Sequence, residues 1–371
     1  NQYLRDQGYA SDNPWNDFAI SALNDAGEVV SGFYMRNAHL PARVSAEHSE
    51  TAYMTRRAID FIREAGDEPW SLHLSYIKPH WPYMVPSPYH SMYGVEDILP
   101  AVRSDEERAD PHPVVKAFMN HGESVVLSDD AARQNVIPTY MGLVKEIDDH
   151  VGHLMTALSD LGRSGDTLIV LTSDHGDYLG DHWLGEKELF HEPSVRIPLI
   201  VADPSESADL SRGCASQALV EGIDLIPTFI EVLGGDPHQP WLEGRSFLDI
   251  LHGRDAESRD FVVAELDYFA RKARLELKVA ADRAKGWMVR SERWKYVFYE
   301  GFDSQLFDLE GDPNELVDRA SDPSCQGILD EHRDRLFHWF RCRKSTVTVD
   351  YAYLDTRHEF ATRGGFIFGE W

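Results

Sequence analysis

The chain has 371 residues, and 36 Lys and Arg against 63 Asp and Glu give a formal charge of −27. That excess of acid excludes a general nucleic-acid or anionic-membrane partner, because a polyanion needs a basic face, while a locally positive cleft for a small anion stays compatible with it. Apolar residues at 42% and aromatics at 11% exclude bulk disorder, and the length suits two domains or one large α/β domain with an appendage.

The first 45 residues are dense in Asn, Asp, Gly and Pro and predict loop. From Ser49, Ala52, Ile59 and Ile62 recur at helical spacing up to Gly66. Trp70 to Tyr76 alternates and predicts a strand. It runs into Lys78-Pro79-His80-Trp81-Pro82, where two prolines forbid regular structure. Residues 84–127 read as irregular. Ser128-Asp129-Asp130 caps a predicted helix to about Leu161, interrupted near Pro138. Asp166–Thr172 and Ile197–Val201 are continuous apolar runs of the kind found in a parallel sheet covered on both faces. Ile223 to Leu233 predicts an apolar helix closed by Gly234 and Gly235. The alternation indicates an α/β core.

After Gly253 the pattern changes to short strands at 261–266, 287–291, 294–299 and 305–309. A helix from about Ser324 to Arg343 follows, with Leu329, Leu336, Phe337 and Phe340 as its apolar stripe. The expected layout is a main domain over 1–253, a smaller antiparallel-sheet-plus-helix domain over 254–345 and an aromatic tail over 346–371. That tail, with Tyr351, Tyr353, Phe360, Phe366, Phe368 and Trp371, is a large apolar load for a chain end. It predicts a homo-oligomer, dimer or tetramer, whose contact includes residues 351–371.

No apolar run reaches the roughly 18–20 residues of a membrane helix. Cys214, Cys325 and Cys342 are odd in number and far apart, which is neither a disulfide framework nor a metal pattern. A reducing, cytoplasmic setting is the expectation. The opening Asn1-Gln2-Tyr3-Leu4 shows no signal peptide.

Chemistry concentrates in Ser173-Asp174-His175-Gly176-Asp177-Tyr178-Leu179-Gly180-Asp181-His182, directly after a predicted strand. In open α/β sheets the carboxyl ends of strands face the functional crevice. A carboxylate beside an imidazole can reach one divalent cation where the backbone turns, and Gly176 permits a turn. A solvated polar loop has the same composition. Asp181 and His182 suit partners that orient ligands, and equally suit surface residues. Lys78-Pro79-His80 offers His80 as a general acid on a rigid mount, or as a structural histidine in a tight turn. Lys187 could clamp an anionic group.

Together these segments resemble the sulfatase branch of the alkaline phosphatase superfamily, above all its phosphonate monoester hydrolases and arylsulfatases. The matching text is His73-Leu-Ser-Tyr-Ile-Lys-Pro-His80-Trp-Pro-Tyr83, Pro88-Tyr89-His90, Thr172-Ser-Asp-His-Gly176 with Gly180-Asp-His182, Lys187, and Pro193-Ser-Val-Arg-Ile-Pro-Leu-Ile200. Ile223-Asp-Leu-Ile-Pro-Thr-Phe229 and Leu306-Phe-Asp-Leu-Glu-Gly-Asp-Pro-Asn-Glu315 complete it. The resemblance implies a sandwich with a central, mostly parallel sheet flanked by helices. It implies Asp174 and His175 as ligands of one divalent metal (Mn, Ca or Zn), His80 as proton donor to the leaving oxygen and Lys187 as contact to the sulfuryl or phosphoryl oxygens. Lys78 carries over as a substrate-binding residue. The implied substrate is a small anionic ester, of sulfate or of phosphonate and phosphodiester type.

The family pattern also places metal-binding aspartates and a Cys/Ser-x-Pro-x-Arg segment, source of a formylglycine nucleophile, upstream of these motifs. None of the three cysteines is followed by Pro-x-Arg. The chain is thus expected to start where such a protein is already under way. A non-catalytic remnant or binding domain that keeps the fold is the alternative. A phosphomutase-like or nucleotide pyrophosphatase relative, with His191 and Asp224 at a second metal, is a third reading.

Overall fold

The computed structural model describes residues 1–254 and 259–343. The chain divides into two compact units. The first comprises Asn1–Thr167 and Gly176–Glu188, and the second Leu168–His175 and the described residues from Leu189 onward. The aromatic tail, and with it the predicted subunit contact, lies outside the described residues.

In the first unit, a short hairpin pairs β1 (Ser21–Leu23) with β2 (Val29–Ser31). The helix Glu50–Ala65 begins where expected, because the Ser49 hydroxyl accepts the Ala52 N–H at 3.1 Å. It stops at Gly66, whose φ of 57° no longer suits a helix. Its buried face, including Thr51, Ala52, Ala58 and Ile62, lies toward the long helix Asp130–Asp160. That helix is capped by Asp129 and runs through Pro138 without the expected interruption. A proline removes one N–H rung, but its fixed φ is helical, and here the tertiary packing of the neighbouring turns carries the helix across. Val136 and Leu143 on either side of Pro138 are fully buried in a core with Met35, Tyr83, Val85 and Leu127.

Two further expectations in this unit fail. Trp70–Tyr76 forms no strand: it has no regular structure and no ladder partner among the described residues. Alternation sets a conformation, whereas a strand also needs a neighbour to take its N–H and C=O groups. Residues 84–127 are less irregular than expected and hold three short helices, Asp105–Ala109, Pro113–Met119 and Gly122–Leu127. Each is too short for periodicity to show, and the first two are set by the side-chain caps of Ser104 and His112.

In the second unit, β3 (Ile169–Thr172) pairs with β4 (Leu199–Ala202) in antiparallel register, Thr172 opposite Leu199. The α/β class stands, but the expected parallel order does not. Among the described residues, every strand pair is antiparallel, and only the isolated bridge Ala42–Pro86 is parallel. A parallel pair needs a crossover element, and residues 173–198 hold only short helical turns. An apolar run does not by itself decide strand direction.

The C-terminal prediction holds closely. Strands β5 (Val262–Asp267), β6 (Lys285–Arg290), β7 (Trp294–Tyr299) and β8 (Gln305–Asp308) form one antiparallel sheet in chain order. The helix Gln326–Cys342 covers it through Leu336, packed with Val289, Tyr296 and Leu306. Phe340 sets its edge on Trp287 at 5.2 Å between centroids. Phe337, expected in the stripe, is 50% exposed. Beneath the sheet, Lys295 is fully buried, donates to the Phe190 carbonyl at 2.8 Å, and pairs with Glu192 at 2.8 Å and Glu315 at 2.6 Å. A buried ammonium persists only with such partners, so this cluster ties residues 190–192 to the sheet.

Candidate active site

In the first unit the Lys78–Tyr83 segment meets the loop Asp177–Glu188. His80 Nδ1 lies 2.7 Å from the Trp81 carbonyl, and Nε2 lies 2.5 Å from Lys187 Nζ. A carbonyl only accepts, so Nδ1 carries a hydrogen and Nε2 is the nitrogen that exchanges protons. Nε2 accepts from the Lys187 ammonium. The two residues singled out as acid and anion clamp are therefore in direct contact, although 107 positions apart. Glu186 flanks Lys187 at 3.6 Å.

The loop that holds Lys187 is closed by its own backbone. Tyr178 N donates to Glu186 O and Gly180 N to Leu184 O, both at 2.8 Å. Gly180 has φ 97°, and a Cβ there would meet the Leu127 carbonyl at 2.6 Å, so only glycine fits. Arg133 Nε braces the turn through the Leu179 carbonyl at 3.0 Å. Asp181 and His182 secure the loop to a second segment: Asp181 accepts the Val102 N–H at 2.9 Å, and His182 Nδ1 meets Glu107 at 2.6 Å. His182 is buried, so the surface reading fails for it.

Lys78 does not share the His80–Lys187 contact. Its ammonium donates to the Pro82 carbonyl at 2.5 Å, and the carboxylates acting on it are Glu50 and Glu146. Burial pushes its pKa down to about 8. Burial likewise pushes Glu146 up to about 7, with Ser49 and Lys78 pulling it part of the way back. Sequence reasoning missed Glu146, since one acid in a long helix carries no signal of its own. The raised pKa sets a pH dependence. Folded Glu146 holds its proton more tightly than the unfolded chain does, so this stability is full below about 4.5 and is lost as pH rises through about 7. Glu146→Gln should therefore gain stability over wild type between pH 5 and 8. The ceiling is about 3 kcal/mol, trimmed because Lys78 loses a partner. Urea melts at the two pH values check it; a constant difference would refute it.

Asp177 was also passed over, though it sits within the Asp174-His175-Gly176-Asp177 run. It is half-buried, accepts the Tyr83 hydroxyl at 2.6 Å and the Leu179 N–H at 3.1 Å, and desolvation raises its pKa to about 6.

In the second unit, Asp174 and His175 follow directly on β3, as expected. Asp174 Oδ2 and His175 Nε2 are 3.5 Å apart, and the Asp174 side chain is 87% exposed. One divalent ion bonded to each donor at about 2.1 Å spans that gap, and the oxygen-plus-imidazole set suits it. Asp224 is committed elsewhere, to Arg259 at 2.7 and 2.8 Å and to the Arg245 N–H at 2.7 Å, which removes it as a ligand for a second metal. In the first unit, Glu123, Glu186 and Glu188 bring carboxylate oxygens within 4.8 Å of one another, a second grouping able to hold a cation. Among the described residues no helix is long and apolar enough to cross a membrane.

Comparison with known proteins shows the family and the fold. The Sulfatase family model matches residues 2–235, and that of the N-sulphoglucosamine sulphohydrolase C-terminal region matches 180–341. The multifunctional alkaline phosphatase superfamily protein PehA of Trinickia caryophylli is 31% identical over 81% of this chain and 61% of its own length. The choline-sulfatase of Rhizobium meliloti is 31% identical over 78% of this chain and 55% of its own. This chain therefore spans little more than half the length of these curated relatives. The phosphonate monoester hydrolase from Silicibacter pomeroyi superposes with a TM-score of 0.83 at 26% identity, over 93% of this chain and 69% of that one. The Agrobacterium radiobacter phosphonate monoester hydrolase gives 0.80 at 26% identity, over 91% and 68%. On the family match across most of its length, the chain belongs to the sulfatase family of the alkaline phosphatase superfamily.

Proposed function

We propose that this chain carries the metal-ligand pair, the proton donor and the anion clamp of a metal-dependent hydrolase acting on sulfate esters, phosphonate monoesters or phosphodiesters. The direct contact of His80 Nε2 with Lys187 Nζ at 2.5 Å carries this reading. Asp174 and His175 are the residues that would hold the divalent ion, which when bound polarises the ester and stabilises an anionic nucleophile. Lys187 meets the negative charge of the non-bridging oxygens as a point charge. His80 delivers a proton from Nε2 to the departing oxygen, and its Nδ1 bond to the Trp81 carbonyl keeps the ring oriented for that. Lys78 acts from behind, bracing the segment through the Pro82 carbonyl rather than touching substrate. The attacking group of this reading is of formylglycine type, and no cysteine among these 371 residues stands before Pro-x-Arg.

The test is turnover of a nitrophenyl sulfate, a phenylphosphonate monoester and a phosphodiester by the protein as its organism makes it. Hydrolysis of at least one, lost on chelation and restored by a divalent metal, is the expected outcome. No turnover of any of them would leave the non-catalytic reading.

A further inference from the structure

We propose that the Tyr83–Asp177 hydrogen bond is a positioning link that fixes His80 against Lys187. The claim rests on the ester-hydrolase reading only for its effect on turnover. Tyr83 lies three positions after His80, at the end of the braced Lys78–Tyr83 segment. Asp177 opens the loop that ends near Lys187, and the Tyr178–Glu186 backbone bond places Asp177 next to Lys187 across that loop. Beside the His80–Lys187 contact, the two segments meet through a short bond, Tyr83 hydroxyl to Asp177 carboxylate at 2.6 Å, spanning 94 positions.

Both partners are held from behind. Tyr83 is 1% exposed, and its ring meets Tyr140 edge-on at 6.0 Å between centroids. The second carboxylate oxygen of Asp177 is fixed by the Leu179 N–H. Neither side chain has slack, so the bond transmits position from one segment to the other. A buried tyrosine and a half-buried carboxylate also leave a desolvation cost if they part, which keeps the link closed. Tyr83 and Asp177 thus act through His80 and Lys187, as positioning residues rather than catalytic ones.

The experiment reads the His80 ring directly in this 371-residue chain. Diethyl pyrocarbonate acylates accessible imidazole nitrogens, and mass spectrometry of the His80 peptide gives the rate. In the wild type, the Lys187 ammonium at Nε2 slows the reaction. Tyr83→Phe removes one oxygen and keeps the packing, and the His80 rate should rise about fivefold, the scale of one lost hydrogen bond. Asp177→Asn keeps an acceptor for Tyr83 and should stay within about twofold of wild type, and Asp177→Leu should match Tyr83→Phe. His332, buried in the C-terminal helix and bonded to Ser291 at 2.9 Å, is the internal reference for unfolding. An unchanged His80 rate in Tyr83→Phe would overturn the link. An equal rise at His332 would also overturn it, by making the bond a general stability contact. On turnover, Tyr83→Phe should lower kcat and leave KM nearly constant. If even the wild type hydrolyses no ester, the functional reading fails while the labelling still decides the link.

Discussion

Asp174→Ala should strip the divalent ion from the full protein and stop ester turnover. Asp174 supplies the only hard, charged oxygen of the pair that follows β3, and His175 alone is one neutral imidazole. Misfolding does not account for such a loss. The side chain is 87% exposed, and its local task is to accept the His175 N–H at 3.0 Å. An exposed bond of that kind contributes about 1 kcal/mol or less. Asp174→Asn keeps an oxygen but not the charge and should fall between wild type and Ala in metal content. Atomic absorption on the purified variants decides the matter, and unchanged metal in Asp174→Ala would remove Asp174 from the ligand set.

His80→Ala should slow esters of poor leaving groups far more than nitrophenyl esters. A general acid contributes about 10²–10⁴-fold when the departing oxygen is basic, and little when the leaving group is already a weak base. Nε2 accepts from the Lys187 ammonium at 2.5 Å, so the nitrogen that would serve the leaving oxygen lies beside the anion clamp. Parallel kcat/KM measurements on an alkyl and a nitrophenyl ester separate the roles. Equal losses on both would make His80 a binding or structural residue.

Much of the fold was legible because it rests on short-range rules. Ser49 and Gly66 bound a helix by capping and by a positive φ, both local properties. The sheet of β5 to β8 follows from strands joined by short connections, where the antiparallel neighbour is nearly obligatory. The site was legible in part for a similar reason. Asp174 and His175 are adjacent, so their joint reach for one ion depends on a single turn of backbone. Lys187 and His80 were found as separate candidates, each with a bland reading beside it.

The sequence by itself singled out candidate site residues, the caps of the long helices, and the class of the C-terminal sheet, because propensity, capping and periodicity act within a few residues. Tertiary structure decided what pairs with what. It left Trp70–Tyr76 without a ladder partner among the described residues, ran the Asp130–Asp160 helix through Pro138, and set β3 against β4 antiparallel. It turned Lys78 inward toward Pro82 and Glu146, brought His80 to Lys187, and joined Tyr83 to Asp177. Each of these depends on segments far apart in the chain meeting at atomic distance. A contact between positions 94 or 107 apart is fixed by the packing of everything between them, and no local pattern encodes it.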